Sequence, residues 1–166
     1  MIPKKMKCIS ITSHGNPNVL KEEKRLLPTI NTNEILIKVI AAGVNRPDIM
    51  QRKGLYNPPK GASDLPGLEV AGVLVDKGEK VSNFKIGDKV CALTHGGGYA
   101  EYCKANYKHA LPIPKSFTYE EAASLPETFF TVWVNIFDRA KLKKNETILI
   151  HGGSSGIGVA AIQMAK

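Results

Sequence analysis

The sequence predicts a mixed α and β fold: a partly closed β-barrel or sandwich, then the helix, strand and helix that open a βαβ-type domain. Three observations predict it. Residues 6–114 carry short apolar or alternating runs separated by turn residues. After Pro114 the texture turns helical. The stretch "HGGSSGIGVAAIQMAK", residues 151–166, then reads as a glycine turn entering a helix directly after a short apolar strand.

The first strands are read in "KCISIT", "EILIKVIAAGV", "VAGVLVDKG", "DKVCAL" and "GYAEYCKA", with "HGNPN", "NPPKG" and "KIGDK" as breaks between them. Their spacing suits a small barrel or sandwich. No period of 20 to 50 residues and no low-complexity segment is present. Thr118 followed three residues later by Glu121 is a capping box, each side chain satisfying a backbone N–H that the first helical turn leaves open. Pro126 suits the start of the next helix, "PETFFTVWVNIFDRAKL", in which Trp133 and the phenylalanines around it read as core. "NETILIHGG" supplies one short strand, apolar on both sides, and the sequence contains no later strand to pair with it. Such an edge invites association.

With 166 residues and 43% hydrophobic content the chain can bury a substantial core. Its 23 basic and 15 acidic residues give +8. The lysines are scattered in "KKMK", "KEEKR" and "KLKK", and no aromatic stacking surface accompanies them, so they read as solvated surface and no nucleic acid is expected. Cys8, Cys91 and Cys103 lie far apart, which predicts neither a zinc ribbon nor a disulfide framework and suits a reducing, cytoplasmic setting. Neither a signal-peptide core nor a run of eighteen apolar residues appears, so secretion and membrane spanning are not expected.

Gly152, Gly153, Gly156 and Gly158 stand where a strand should hand over to a helix. Glycine lets the backbone turn tightly and approach a diphosphate, whose charge is met by free N–H groups and the positive end of the helix. Two registers fit. Gly153-Ser154-Ser155-Gly156-Ile157-Gly158 matches G-x-G-x-x-G with Ser155 at the middle glycine, and it is preferred because it follows the strand directly; Gly156-Ile157-Gly158-Val159-Ala160-Ala161 matches G-x-G-x-x-A. A glycine-rich connection without ligand is the alternative. In short-chain dehydrogenases a similar turn follows the first strand of the chain, whereas here a long β-rich region precedes it.

Four further stretches carry a family likeness: "AAGVNRPDIMQRKGLYNPP", "LPGLEVAGVLVDKGEKVSNFKIGDKV", "GGGYAEYC" and "AASLPETFFTVW". Together with the terminal turn they resemble the zinc-free quinone oxidoreductase branch of the medium-chain dehydrogenase/reductase superfamily, from about residue 6 to the last residue. Within it, "NRPDIMQRKGLYNPPKGAS" is most similar to the p53-inducible type. The resemblance implies a GroES-like β-barrel domain over residues 1–125 and the incomplete start of a dinucleotide-binding Rossmann domain over residues 126–166. It implies NADPH as cofactor and hydride transfer to a quinone, an enone or another conjugated carbonyl. A homodimer, or a second chain that completes the Rossmann domain, is the implied partner. The other reading is a truncated, catalytically silent GroES-like domain kept as a binding module or degenerate gene product. The residue that chooses between NAD and NADP is expected about twenty residues beyond the turn, past Lys166.

Zinc-dependent relatives carry a cysteine where this chain has Asn45 and a "GHE" where it has Gly67-Leu68-Glu69, so no catalytic metal is expected. Without a Lewis acid to polarise a carbonyl, the acceptor has to be electron-poor already. The resemblance places Asn45 near the nicotinamide ribose, although asparagine before Arg46-Pro47-Asp48 is also a good helix cap. It places Tyr56 at the substrate cleft, where a phenol could donate a proton to the reduced oxygen, or simply pack over Pro58 and Pro59. Thr131 is placed near the nicotinamide, against the alternative that it bonds its own helix backbone. Gly153, Ser154, Ser155, Gly156, Ile157 and Gly158 are expected to meet the diphosphate. His151 and Glu69 are read as structural, and His95 as lacking a metal-binding partner.

Overall fold

A computed structural model describes all 166 residues. β1 (Lys5–Ile11) and β2 (Leu20–Leu26) form an antiparallel ribbon. β3 (Glu34–Ala42), β4 (Glu69–Lys77), β5 (Lys89–Leu93), β6 (Tyr102–Asn106) and β7 (Ala110–Pro112) form a second antiparallel sheet in the order β6-β3-β4-β5-β7. Between β3 and β4 the register shifts twice, at Leu36/Ile37 and at Val39/Ala41. Extra residues of this kind bend a strand and increase its twist, which suits a curled half-barrel. The five strands read within residues 6–114 are present, whereas the sixth, read in "NETILIHGG", is not. β7 was not foreseen, and neither was β2, whose "KEEKR" reads as loose surface charge; its pairing with β1 leaves those charges on the solvated face, where Lys7 and Glu22 meet at 3.2 Å.

Alternation along the strands fills two cores. Ile35 and Ile37 of β3, Val70 and Leu74 of β4 and Val90 of β5, all without solvent exposure, meet Val81, Phe84 and Cys103 inside the curl. The opposite side of β4 and β5 presents Ala71 and Cys91 to α2 (Tyr119–Ala123), whose Ala122 and Ala123 are buried there. The Thr118–Glu121 capping box forms as read: Glu121 N–H donates to Thr118 Oγ1 at 3.2 Å, and Thr118 N–H to the Glu121 carboxylate at 2.8 Å.

α1 (Arg46–Arg52) follows β3, and α3 (Pro126–Val132) begins at the proline that marked it. From Trp133 to Arg139 the same helix continues with the wider π spacing, as in Ala140 N–H to Asn135 C=O at 3.0 Å. Asn135 Nδ2 donates to the Thr131 carbonyl, the acceptor its own N–H would use in an α-helix, and a side chain inserted into the ladder widens it. α4 (Gly156–Ala165) packs Ala160 and Ala161 against Val132 and Ile136. The apolar run at 147–150 makes no ladder. A strand exists only against a neighbour, and this run has none, although Ile148 and Ile150 still face the α3–α4 cluster while Leu149 is 79% exposed.

Candidate functional site

β3 ends at Ala42, and three residues later Asn45, in extended backbone, stands at the N-cap of α1. Asp48, in the first turn and buried, collects three hydrogen bonds: from Asn45 N–H at 2.8 Å, from the Tyr99 hydroxyl at 2.9 Å and from Gly67 N–H at 3.0 Å. One carboxylate thereby joins α1, the turn before β4 and the glycine-rich loop before β6. Burial, and then the nearby Asp48 carboxylate, push the Tyr99 phenol well above its usual range.

Glu69, the first residue of β4, is 3% exposed. Its Oε1 accepts from Asn45 Nδ2 at 2.8 Å and its Oε2 from the backbone N–H of Glu127 in the first turn of α3 at 2.9 Å. Gly43 makes room for this carboxylate, because a side-chain carbon there would collide with Oε1. Burial raises the Glu69 pKa, the two donated hydrogen bonds oppose the rise, and Asp48 adds to it. Burial also raises Glu127, with Glu69 and Asp48 adding to the effect. One helical turn on, Thr131 Oγ1 donates to the Glu127 carbonyl at 2.6 Å. Asn45 and Thr131, distant in sequence, are thus the two ends of one chain of hydrogen bonds running through Glu69 and Glu127. The threonine hydroxyl makes the local backbone bond that was its alternative reading.

At the terminal turn the left-handed residue is Gly152, with φ of +70°, rather than Gly153. Ser155 is the N-cap of α4: its N–H and hydroxyl both reach the Gly152 carbonyl, at 2.9 and 2.8 Å, and its Oγ accepts from Gly158 N–H at 3.0 Å. A side-chain carbon on Gly158 would collide with the Gly152 carbonyl oxygen and lie 2.6 Å from Gly153 Cα. The tight turn therefore sits one residue earlier than the preferred register, and the Ser155 hydroxyl is occupied within it. Among the first N–H groups of α4, that of Gly158 is taken, leaving those of Gly156 and Ile157, which have no partner within a helix. Ser154 is exposed beside them. This cradle, opening onto a ten-residue helix, fits a diphosphate.

Tyr56 does not share a hollow with Asn45. It is 37% exposed and lines a separate polar hollow of about 370 Å³ with His14, Gln51 and Asp64. Trp133, read as core, is 53% exposed; it lines an apolar hollow of about 500 Å³ with Phe129, Phe130, Leu111 and Met164, because the π-helical continuation is covered only on its Ile136 side. His151 is exposed, and the His95 and His109 rings lie 5.7 Å apart. The sequence reading missed Asp48, Tyr99 and Glu127 as members of the cluster. Asp48 carried a signal, since an acid three residues after an N-cap often returns a bond to it, whereas Tyr99 and Glu127 arrive through long-range folding.

Residues 31–115 match the alcohol dehydrogenase GroES-like domain family. Over 165 residues, 98% of its length, the chain is 36% identical to the mouse (Mus musculus) quinone oxidoreductase and covers 50% of that protein. The human synaptic vesicle membrane protein VAT-1 homolog-like protein has a solved structure that superposes with a TM-score of 0.86 at 30% identity, over 96% of this chain and 52% of that one. The CurK enoyl reductase structure gives 0.85 at 30% identity, over 98% and 51%. The chain spans about half the length of the relatives it matches. No helix is long and apolar enough to cross a membrane.

Proposed function

Because the chain belongs to the alcohol dehydrogenase GroES-like domain family, within the medium-chain dehydrogenase/reductase superfamily, we propose that it contributes the barrel and the first nucleotide-gripping turn of an NADPH-dependent quinone oxidoreductase. The division we infer is a GroES-like domain over residues 1–125 and the beginning of a Rossmann domain over 126–166. The observation that carries the reading is the cradle built by Gly152, Ser155 and Gly158 at the start of α4, packed through Val132 and Ile136 against the helix that also holds Thr131 and Glu127. The quinone oxidoreductase and enoyl reductase relatives support a conjugated acceptor, a quinone or an enone.

In this reading the free N–H groups of Gly156 and Ile157, with Gly153 and Ser154 beside them, hold the diphosphate. The cofactor supplies the hydride. Asn45 borders the nicotinamide ribose, and Thr131 lies on the helix that lines the same side. The chemistry we assign is metal-independent: an asparagine whose amide nitrogen is donating to Glu69, next to Leu68 in place of a histidine, offers no thiolate and no imidazole to zinc. The chain's part is then positional, since holding two reactants at contact geometry is itself a large rate factor. Tyr56 takes a part only if its loop moves toward Asn45. Three free, buried cysteines suit the cytoplasm.

Titrating NADPH into the purified 166-residue chain and following its oxidation with a quinone tests the proposal. Micromolar binding lost on changing Gly158 to Ala supports it. Absence of any binding leaves the silent binding module as the better reading, and the same titration on a homodimer or a reconstituted two-chain complex decides whether a partner is required.

A further inference from the structure

We propose that Glu69 is a positioning residue: its buried carboxylate fixes which way round the Asn45 amide stands, holding the nitrogen and leaving the oxygen as the end that accepts from a ligand hydroxyl. The inference rests on the reading that Asn45 borders the nicotinamide ribose, and it names the atom that does so.

An asparagine amide has a donating end and an accepting end of nearly equal size. A neighbour able both to donate and to accept, such as serine, threonine or glutamine, would tolerate either orientation. An ionised carboxylate only accepts, so it binds the Nδ2 end and repels the Oδ1 end. Glu69 is such a neighbour at 2.8 Å. It is held on its other side by Glu127 N–H at 2.9 Å, so it cannot swing away without leaving that N–H unpaired. The fold makes a specific place for it, since Gly43, two residues before Asn45, is the position where any side chain would strike Oε1. Burying a carboxylate at 3% exposure is costly, and tying α3 to the barrel through one N–H would not require a charge. Fixing an amide calls for a side chain that only accepts, and among side chains an ionised carboxylate is that group. The oxygen of Asn45 has two lone pairs, so it can accept from a ligand even while it caps α1.

The groups that face Glu69 are Asn45 before α1, Asp48 on α1, Tyr99 from the loop before β6, Cys91 on β5 and Glu127 on α3. Two of these, Asp48 and Glu127, are themselves carboxyls, and burial raises Glu127 as it raises Glu69. Once Glu69 is protonated, one of its oxygens becomes a donor and the amide is free to turn over. The orientation of Asn45 should therefore follow one proton, carried by Glu69 and lying above the ordinary glutamate range.

The test follows the Asn45 side-chain NH₂ signals in the ¹⁵N-labelled 166-residue chain as pH is raised from about 4 to about 8. We expect two well-separated protons that move in a single step, a step that survives in Glu127→Gln and disappears in Glu69→Gln. Signals at free-amide positions that ignore pH in the unaltered chain overturn the proposal, as does the same step persisting in Glu69→Gln; the unaltered chain alone decides if the variant fails to fold. NADPH titration supplies the functional readout. Asn45→Ala and Glu69→Gln should each weaken binding up to about tenfold, the upper scale of one hydrogen bond between neutral groups, and the double variant no further. Losses that multiply overturn the positioning role. If the unaltered chain binds no NADPH, the reading under Proposed function fails and the amide signals still decide this one.

Discussion

Glu69 and Glu127 stand 58 positions apart in the chain, and the side chain of the first receives the backbone N–H of the second at 2.9 Å. The start of α3 is thereby fastened to the first residue of β4 by a buried carboxylate.

Glu69 predicts a stability effect with a definite sign. Burial raises its folded-state pKa above the unfolded value, so between the two the folded chain keeps a proton that the unfolded chain has released, and stability falls as pH rises through that window. Glu127 shifts the same way. Urea midpoints from about pH 4 to about pH 8 should decline less for Glu69→Gln than for the unaltered chain, with part of the decline left to Glu127. An equally steep decline in the variant would remove Glu69 as its source.

The glycines of the terminal turn should not be interchangeable. Gly152→Ala puts a side chain at φ of +70° and should cost about 1–2 kcal/mol. Gly158→Ala drives a carbon into the turn itself and should cost about 1–3 kcal/mol. Gly156→Ala meets nothing within 4 Å and should be neutral or stabilising. Hydrogen exchange across residues 152–162 reads all three, and equal protection in the three variants would contradict the turn geometry described above.

Burial pushes the Cys103 thiol up to about 12, and Cys8 and Cys91 are raised by burial too. The thiolate is the reactive form, so a disulfide reagent at neutral pH should label none of the three in the folded chain and all three in denaturant. Above about pH 9 the unfolded thiol ionises first, so stability should fall toward pH 12. Rapid labelling of the native protein would show that the curled sheet opens.

Core and cap substitutions should differ in size. Ile37→Ala empties a fully buried place in the barrel and should cost about 2–5 kcal/mol. Thr118→Ala removes one half of a capping box on an exposed turn and should cost about 1 kcal/mol. Thermal unfolding of both variants gives the ratio.

Most of the architecture was legible because its signals are local. Alternation marks β3 and β4, Thr118 and Glu121 mark a helix start within four residues, and Pro126 marks another. β2 was hidden because a strand with one solvated face and many charges has no apolar run to show, and only its register with β1 identifies it. The run at 147–150 shows the reverse: its pattern is that of a strand, but pairing is a property of two segments. At the site, Asn45 could be named from its motif. Its link to Thr131 could not, because it passes through Glu69 and through a backbone N–H, which carries no sequence signature. The preferred register begins at Gly153, whereas the backbone turns one residue earlier, at Gly152, whose carbonyl Ser155 captures.

Tyr99 gives its carbonyl to Ile9 N–H of β1 at 2.8 Å, its own N–H to Pro66 at 3.0 Å, and its hydroxyl to Asp48. A single residue is thus sewn to the outer ribbon by its peptide and to the asparagine cluster by its ring. Trimming the first dozen residues, or crowding them with a bulky fusion, would pull on a thread whose far end is the Asn45–Asp48 corner, so the leading ribbon serves as scaffolding for that corner.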